Sequence, residues 1–333
     1  MSGHHRSVAG KPATSRTAIP PGTRDVLPEE MRELRAIGDR MRAAFEEAGY
    51  GEVHTPALEY EEVLLRGDAR AAGARYRTFD ERGLVLALRS DMTIPIARVV
   101  ATRYADAQPP LRFSYFARAW RATERGVGEP REFLQAGLEL IGVAGADGEA
   151  EVVALTIAAL DAAGLRRHRV GVGDGALYRS LLGSFGVPEA SHVPMLEALS
   201  RRDLVGLEGQ VDRLGLGEAE RDLLVRLPQL RGGREVLDRA DTPGLDGLRA
   251  LHERVEQRGV ADRVIFDLGL VRELGYYTGP VFEVYDPAVG FALGGGGRYD
   301  DLIGRFGRDL PACGLALDVQ RVHLAQAAEE ALA

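Results

Sequence analysis

Two long apolar stretches decide the fold: LRFSYFARAW at Leu111–Trp120 and REFLQAGLELIGV at Arg131–Val143. Aromatic and aliphatic residues dominate both stretches, so each is predicted to be a strand. The connection between them is polar and contains Gly126, Gly128 and Pro130, as is typical of a loop that joins two strands. We therefore predict that these strands pair with each other in an antiparallel sheet.

The rest of the chain does not alternate regularly between helices and strands. Strand character returns at Phe291–Leu293, and the glycine run Gly294–Gly297 that follows is predicted to be a tight turn rather than a phosphate-binding loop, whose glycine spacing it lacks. Irregular alternation disfavours a doubly wound parallel sheet. It favours an α+β fold, in which an antiparallel sheet is flanked by helices and a helical insert precedes the last strands.

Changes in composition divide the chain into segments. The first is small and polar and lacks an apolar signal-peptide core, so it is predicted to be a disordered tail and the protein to be cytoplasmic. A later stretch, rich in leucine and arginine, is predicted to be mostly helical. The predicted parts are a tail at 1–18, the first part of the core at 19–174, a mostly helical insert at 175–260 and the last part of the core at 261–333.

The charged residues and the single cysteine exclude several kinds of chemistry. The 333 residues have a formal net charge of −8, and Lys11 is the only lysine. Schiff-base enzymes, kinases and Gly-Lys-Ser/Thr phosphate loops all need a lysine, which only the tail could supply. Cys313 is the only cysteine, so an internal disulfide and a four-cysteine zinc site are excluded. The histidines show no metal-ligand spacing, and no metal or other cofactor is expected.

Polar residues inside the second predicted strand suggest a ligand pocket. In a strand, Gln135, Gly137 and Glu139 share one face, and the glycine leaves room between the two polar side chains. Such a pair could accept hydrogen bonds from a cationic ligand, because buried polar groups need partners. A structural salt bridge would explain the pair equally well.

Residues near the predicted last strands could complete this pocket. Arg272 lies just before a strand and could hold a carboxylate bidentately, although a structural ion pair is an equal alternative. Tyr276, Tyr277 and Tyr299 could provide aromatic walls with hydroxyl groups, or simply pack in the core. Together these residues suggest a pocket for an amino acid, with acids for its amine or ring and arginine for its carboxylate.

The same residues lie in a series of motifs that resembles the catalytic core of histidyl-tRNA synthetase. The motifs occur in the family's order from about Ile19 to His323, and five in order are far more specific than any one alone. They are Gly22-Thr-Arg-Asp-Val-Leu-Pro with Thr55-Pro-Ala-Leu-Glu59, Leu88-Arg-Ser-Asp-Met-Thr93, Arg131-Glu-Phe-Leu-Gln-Ala-Gly-Leu-Glu139, Leu270-Val-Arg-Glu-Leu-Gly-Tyr-Tyr277 and Gly296-Gly-Arg-Tyr-Asp300.

This resemblance implies a class II synthetase fold, usually dimeric, with a histidine pocket. The amine and imidazole of histidine would face acidic and amide side chains, and its carboxylate would face arginines. The residues at the family's histidine-contact positions, with Tyr276 added as an aromatic wall, are Asp91, Thr93, Arg121, Gln135, Glu139, Arg272, Tyr276, Tyr277 and Tyr299.

The positions that would bind ATP depart from the synthetase pattern. Thr123 stands where the second motif has glutamate, Glu129 where a basic loop residue is expected, and Asp318 where the third motif has glycine, while Arg321 is retained. Acids beside a triphosphate are repulsive. These four residues therefore resemble a vestigial nucleotide site. The chain ends shortly after Arg321, so no anticodon-binding domain and no tRNA binding are expected.

A synthetase-like core with these departures is similar to the regulatory subunits of ATP phosphoribosyltransferase, which starts histidine biosynthesis. The resemblance implies a non-catalytic protein that forms a homodimer within a hetero-oligomer, binds a short-form catalytic subunit and mediates feedback by L-histidine, without contact to a membrane. Two alternatives remain open. One is a truncated synthetase-like enzyme that forms histidyl-adenylate, and the other is a scaffold without a ligand.

Overall fold

The computed structural model describes residues 18–69, 73, 75–122, 130–240, 242–272 and 275–332. Almost all of the predicted tail lies outside these ranges. Thr123 and Glu129, two members of the predicted vestigial nucleotide site, also lie outside them.

The described residues contain one large sheet of nine strands and one small sheet of three. The large sheet has the order β1-β5-β6-β12-β11-β10-β7-β9-β8, and the small sheet has the order β2-β4-β3. The strands are β1 (Gly51–Glu52), β2 (Leu58–Tyr60), β3 (Arg77–Phe79), β4 (Val85–Leu88), β5 (Leu111–Trp120), β6 (Glu132–Ile141), β7 (Arg169–Asp174), β8 (Arg231–Gly232), β9 (Val264–Asp267), β10 (Pro280–Tyr285), β11 (Gly294–Arg298) and β12 (Ala312–Asp318).

Helices cover both faces of the large sheet, and six of them fall in the stretch predicted to be a helical insert. In the described part of the chain they are α1 (Pro28–Glu47), α2 (Glu61–Gly67), α3 (Thr93–Arg103), α4 (Gly145–Ala163), α5 (Leu177–Ser184), α6 (Glu189–Ser200), α7 (Leu204–Val211), α8 (Glu218–Arg226), α9 (Arg234–Arg239), α10 (Asp246–Gln257), α11 (Asp300–Gly304) and α12 (Val319–Ala331). Short 3₁₀ turns lie at 212–214, 227–229 and 261–263.

The pair β5–β6 forms as its sequence predicts, with Leu111 opposite Ile141 and Trp120 opposite Glu132. Alternate residues of β6 enter different layers. Ala136, Leu138 and Leu140 pack into the larger core with α1, α4 and α12. The opposite face of the sheet carries Gln135, Gly137 and Glu139, beside a smaller core built from α3, α11 and β5. Because side chains alternate along the strand, one face of β6 is apolar and packs in the larger core, and the other carries polar side chains that can form a ligand site.

Two features of the sheet differ from the sequence-based expectation. The sheet is mostly antiparallel, but β1 pairs with β5 and β7 pairs with β9 in parallel. The prediction of a turn at Gly294–Gly297 after a strand at Phe291–Leu293 is wrong, because Gly294–Arg298 is itself strand β11, paired on both sides. Glycine is common in turns, but here it is required by close neighbours: a Cβ on Gly296 would lie 1.9 Å from the carbonyl oxygen of Gly314.

None of the helices in the described ranges is long and apolar enough to cross a lipid bilayer.

Candidate functional site

A cavity of about 240 Å³ opens on the sheet face that carries Glu139. All nine residues predicted to contact histidine line it, together with two of the four predicted nucleotide-site residues. The lining includes Asp91, Thr93, Arg121, Gln135, Glu139, Arg272, Tyr276, Tyr277, Tyr299, Asp318 and Arg321, with Tyr115, Phe133, Glu283 and the glycines of β11 and β12. The structure thus brings together residues that are up to 230 positions apart in the sequence.

Glu139 is the most buried charged group of the cavity, with 1% of its surface exposed. Thr93 donates a hydrogen bond to its Oε1 at 2.7 Å, Tyr115 donates to the same oxygen at 3.4 Å, and the Tyr299 hydroxyl donates to Oε2. Burial raises the pKa of Glu139 to about 7, although the hydroxyl donors oppose this shift. Within the part of the chain that the structure describes, Glu139 has no basic hydrogen-bond partner. A buried carboxyl that titrates near neutrality in such surroundings is suited to a ligand that brings a positive charge.

The first turn of α3 fixes the polar groups beside Glu139. Asp91 accepts a hydrogen bond from the Ile94 amide at 3.2 Å, which holds its carboxylate at the start of the helix. Gln135 accepts from the Met92 amide through its Oε1 at 3.2 Å. Gln135 is therefore held by the backbone at the start of α3, whereas Glu139 is held by hydroxyl groups. Among the described residues no basic side chain forms a salt bridge with Glu139, so the structural salt bridge that the sequence left as an alternative is not seen there.

Arg272 lies over the glycine strand at the opposite side of the cavity. Its Nη1 donates to the Phe282 carbonyl at 3.2 Å and lies 3.6 Å from the Glu283 carboxylate. A Cβ on Gly295 would lie 1.8 Å from the same Nη1. The glycine therefore leaves the space that the guanidinium occupies. The ion pair is long and both side chains are about a quarter exposed, so the guanidinium keeps donors for a ligand carboxylate.

Tyr276, Tyr277 and Tyr299 line the cavity, and their hydroxyl groups stay protonated. Burial raises the pKa of Tyr277 to about 12 and the pKa values of Tyr276 and Tyr299 well above the ordinary value. Their rings pack against each other, with centroids 5.0 Å apart for Tyr276–Tyr277 and 5.9 Å apart for Tyr276–Tyr299. The hydroxyls therefore remain hydrogen-bond donors at neutral pH.

Sequence reasoning missed Tyr115 and Glu283. Tyr115 faces Gly137 across the β5–β6 pair, and a Cβ on that glycine would lie 2.5 Å from the Tyr115 hydroxyl. Its ring thus lies over the glycine and its hydroxyl reaches Glu139. The signal was the strand register, since a tyrosine in β5 opposite a glycine in β6 must share the face of Gln135 and Glu139.

The side of the cavity toward α12 contains Asp318, Arg321 and Arg121. Asp318 caps α12, because its Oδ1 accepts from the amides of Gln320 at 2.9 Å and Arg321 at 3.2 Å. Its Oδ2 lies 3.6 Å from the Arg321 guanidinium, whose Nη1 donates to the Ala292 carbonyl at 2.8 Å. Arg121 packs over the Phe133 ring, 5.0 Å from its centroid. Asp318 therefore lies at the N-terminus of α12, beside Arg321. It places a negative charge where an anion would approach that arginine.

The cavity as a whole offers both acidic and basic side chains to a ligand. Hydroxyl groups surround Glu139, whereas Arg272 and Arg321 line other parts of the cavity, each with an acid nearby, Glu283 and Asp318. An amino acid with a protonatable ring can pair with both kinds of side chain.

A family model described as histidyl-tRNA synthetase matches residues 22–322 of this chain. The class of protein that the fold and cavity define is therefore histidyl-tRNA synthetase-like, with the class II synthetase sheet that the sequence predicts.

Comparison with individual proteins of known name identifies a smaller family within this class. The chain is 43% identical over 328 residues to an ATP phosphoribosyltransferase regulatory subunit of Symbiobacterium thermophilum, covering 96% of this chain and 82% of that protein. It is 39% identical to the protein of the same name from Moorella thermoacetica, covering 92% and 82%. A crystal structure titled as an ATP phosphoribosyltransferase regulatory subunit/histidyl-tRNA synthetase from Bacillus halodurans superimposes with a TM-score of 0.88 at 36% identity, covering 94% of this chain and 84% of that one. The chain belongs to the family of ATP phosphoribosyltransferase regulatory subunits.

Proposed function

We propose that this protein is a regulatory subunit that binds L-histidine in the cavity around Glu139 and relays its occupancy to a short-form catalytic ATP phosphoribosyltransferase subunit in the cytoplasm. Histidine would bind differently to two states of the assembly, and the catalytic subunit would change histidine affinity by the same factor. The catalytic reaction belongs to the partner, and this chain contributes regulation.

The observation that supports histidine as the ligand is the buried Glu139 with its three hydroxyl donors. The imidazolium ring of histidine can donate to Glu139, and its carboxylate can approach Arg272 at the other end. Asp91 and Gln135 line the same cavity and offer carboxylate and amide oxygens for the α-amino group. Each charged part of the amino acid then meets a group of opposite charge or a hydrogen-bond partner.

The alternative function, formation of histidyl-adenylate, is favoured by Arg121, Arg272 and Arg321, which all line the cavity. Asp318 argues against it, because its carboxylate lies beside Arg321 where a triphosphate would need positive charge. ATP–pyrophosphate exchange in the presence of histidine separates the two functions. Exchange at synthetase-like rates would overturn the regulatory proposal, and we expect only background exchange.

The partner is tested by co-expression with a short-form catalytic subunit from the same organism. We expect the two chains to co-purify, the catalytic subunit to gain activity, and histidine to inhibit the complex. A catalytic subunit that is fully active and histidine-sensitive without this chain would contradict the proposal. Calorimetry with histidine alone tests the scaffold alternative, which predicts no heat of binding.

Histidine affinity should depend on pH with a maximum between about 6.5 and 7. The complex contains one proton shared between Glu139, whose pKa is about 7 without ligand, and imidazole, whose free pKa is about 6.5. Below this window both free groups are protonated and binding must release a proton. Above it neither is protonated and binding must take one up, so affinity falls on both sides. Calorimetry from pH 5 to 8 measures this profile, and an affinity that rises steadily to pH 8 would contradict it.

We also propose that the protein forms a homodimer through the outer face of the small sheet. Leu58 and Tyr60 are 41% and 44% exposed there, next to the partly exposed Leu86 and Leu88. Such a face is apolar enough to favour association. Tyr60→Asp should convert a dimer to a monomer in sedimentation velocity, whereas Leu332→Asp, at an exposed leucine beyond α12, should leave the dimer intact. Equal behaviour of the two variants would contradict this interface.

A further inference from the structure

A second cavity, of about 470 Å³, lies on the same face of the sheet as the first, beyond β10. Strand β10 links them, because Glu283 lines the first cavity and Tyr285, two residues later on the same strand face, lines the second. The residues that line the second cavity are Arg166, Arg167, Arg169, Arg231, Ile265, Tyr285, Asp286 and Pro287. Four of these eight residues are arginines, in a chain whose net charge is −8.

The strand register explains how the arginines meet. Arg169 on β7 lies directly opposite Tyr285 on β10, and Arg231 on β8 lies opposite Asp267 on β9. The Arg231 guanidinium sits 5.2 Å from the centroid of the Tyr285 ring. Arg166 and Arg167 enter from the turn before β7. The cluster therefore combines two arginines on strands of the large sheet, Arg169 and Arg231, with two from the turn before β7.

Two carboxylates near the cluster, Glu329 and Asp267, make their shortest contacts with groups other than the cluster's guanidinium groups, although Asp267 also forms a long ion pair with Arg231. Glu329 accepts hydrogen bonds from the backbone amides of Arg166 and Arg167, at 3.0 and 2.7 Å, so it fixes the backbone and not the guanidinium groups. Asp267 is 2.8 Å from Arg202 and 3.9 Å from Arg231. Within the described ranges, the exposed side chains of Arg166 and Arg167 have no salt-bridge partner.

Charge and size together define the ligand. Four arginines and one carboxylate, Asp286, line the cavity. Asp286 is buried, accepts from the Ala288 amide at 2.8 Å and is hydrogen-bonded to the Glu329 carboxyl. The surplus positive charge calls for an anion. The cavity is larger than one phosphate group needs, and planar guanidinium groups recognise phosphoryl oxygens in pairs. We propose that this arginine cavity binds the diphosphate group of a small molecule, at a site separate from the one around Glu139.

The test uses calorimetry on the full chain at constant ionic strength, with pyrophosphate, inorganic phosphate and sulfate as probes. We expect pyrophosphate to bind at least tenfold more tightly than phosphate or sulfate. Equal binding of sulfate and pyrophosphate would reduce the cavity to a general basic surface and overturn the proposal, as would the lack of any pyrophosphate binding.

Substitutions of the lining arginines test whether pyrophosphate binds in this cavity. The double variant Arg166→Ala/Arg167→Ala keeps the amides that Glu329 holds, so its melting temperature should match that of the wild type while its pyrophosphate affinity falls at least tenfold. Arg35→Ala, at an exposed arginine on α1 behind the sheet, is the matched control and should bind as the wild type does. If the double variant proves unstable, Arg231→Gln replaces it. Wild-type affinity in the cavity variants, or an equal loss in the control, would overturn the proposal.

Discussion

Replacing Glu139 by glutamine is expected to remove tight histidine binding and, at the same time, to make the unliganded protein more stable at pH 8. The side chain keeps its size and its acceptor oxygen for Thr93, so the cavity should keep its shape. It loses the negative charge that would pair with imidazolium. Truncating one partner of a buried, hydrogen-bonded charge pair costs about 3 kcal/mol, so affinity should fall by roughly 100-fold.

The gain in stability follows from the pKa of the buried carboxyl. Because the pKa of Glu139 rises from its ordinary 4.5 to about 7 on folding, the folded state favours the protonated form. Below about pH 4.5 Glu139 is protonated in both the folded and the unfolded state, and its burial carries no charge penalty. As the pH rises to about 7 the unfolded state ionises more readily than the folded state, so the free energy of unfolding falls. Above about pH 7 the full penalty of burying the charged carboxylate is present. A shift of this size corresponds to ~3 kcal/mol. Glutamine cannot ionise, so it avoids that cost.

Two measurements check this prediction. Thermal unfolding of Glu139→Gln should show a melting temperature several degrees above the wild type at pH 8 and nearly equal to it at pH 4.5, where the glutamate is protonated. Calorimetry with histidine should show the loss of affinity. Arg272→Ala, which removes the group at the carboxylate end, should also weaken binding without unfolding the protein. Wild-type histidine affinity in both variants would mean that the ligand lies elsewhere.

The sequence predicted the strand pair β5–β6 and the face of Gln135 and Glu139 correctly, because a period of two places alternate residues on opposite sides whatever the rest of the fold is. It also named residues that prove to line one cavity, although their distant positions could be joined only through the family resemblance. Tyr115 was missed because its role depends on the exact register against Gly137. The role of Glu283 depends on where the Arg272 side chain lies, which no local pattern encodes.

The glycine strand shows the limit of local rules most clearly. Gly294–Gly297 has the composition of a turn, and intrinsic propensity argues against a strand. The tertiary structure overrides that preference because β11 lies between β10 and β12 under the side chains of the site. A Cβ on Gly314, in the neighbouring strand, would lie 1.8 Å from Glu139 Oε2. Small residues are needed in the floor because Glu139 and Arg272 lie across it.

Gly296→Ala should therefore be strongly destabilising, although it adds a single methyl group to a strand. Its Cβ would lie 1.9 Å from the Gly314 carbonyl oxygen and 2.6 Å from the Leu315 Cα, both of which are backbone atoms of β12. Backbone cannot rotate away as a side chain can, so β11 and β12 must separate. We expect a loss of about 3 kcal/mol or more in the free energy of unfolding.

Gly209→Ala is the matched control, because Gly209 lies within α7 and a Cβ there meets no atom within 4 Å. Alanine favours a helix over glycine, so this variant should be stabilised by about 0.5–1 kcal/mol. Urea unfolding of both variants measures the difference. If Gly296→Ala unfolded at the wild-type denaturant concentration, the strand would not be held as tightly as its neighbours indicate. If it is destabilised as expected, close packing of the backbone, and not turn chemistry, explains why this part of the site is built from glycine.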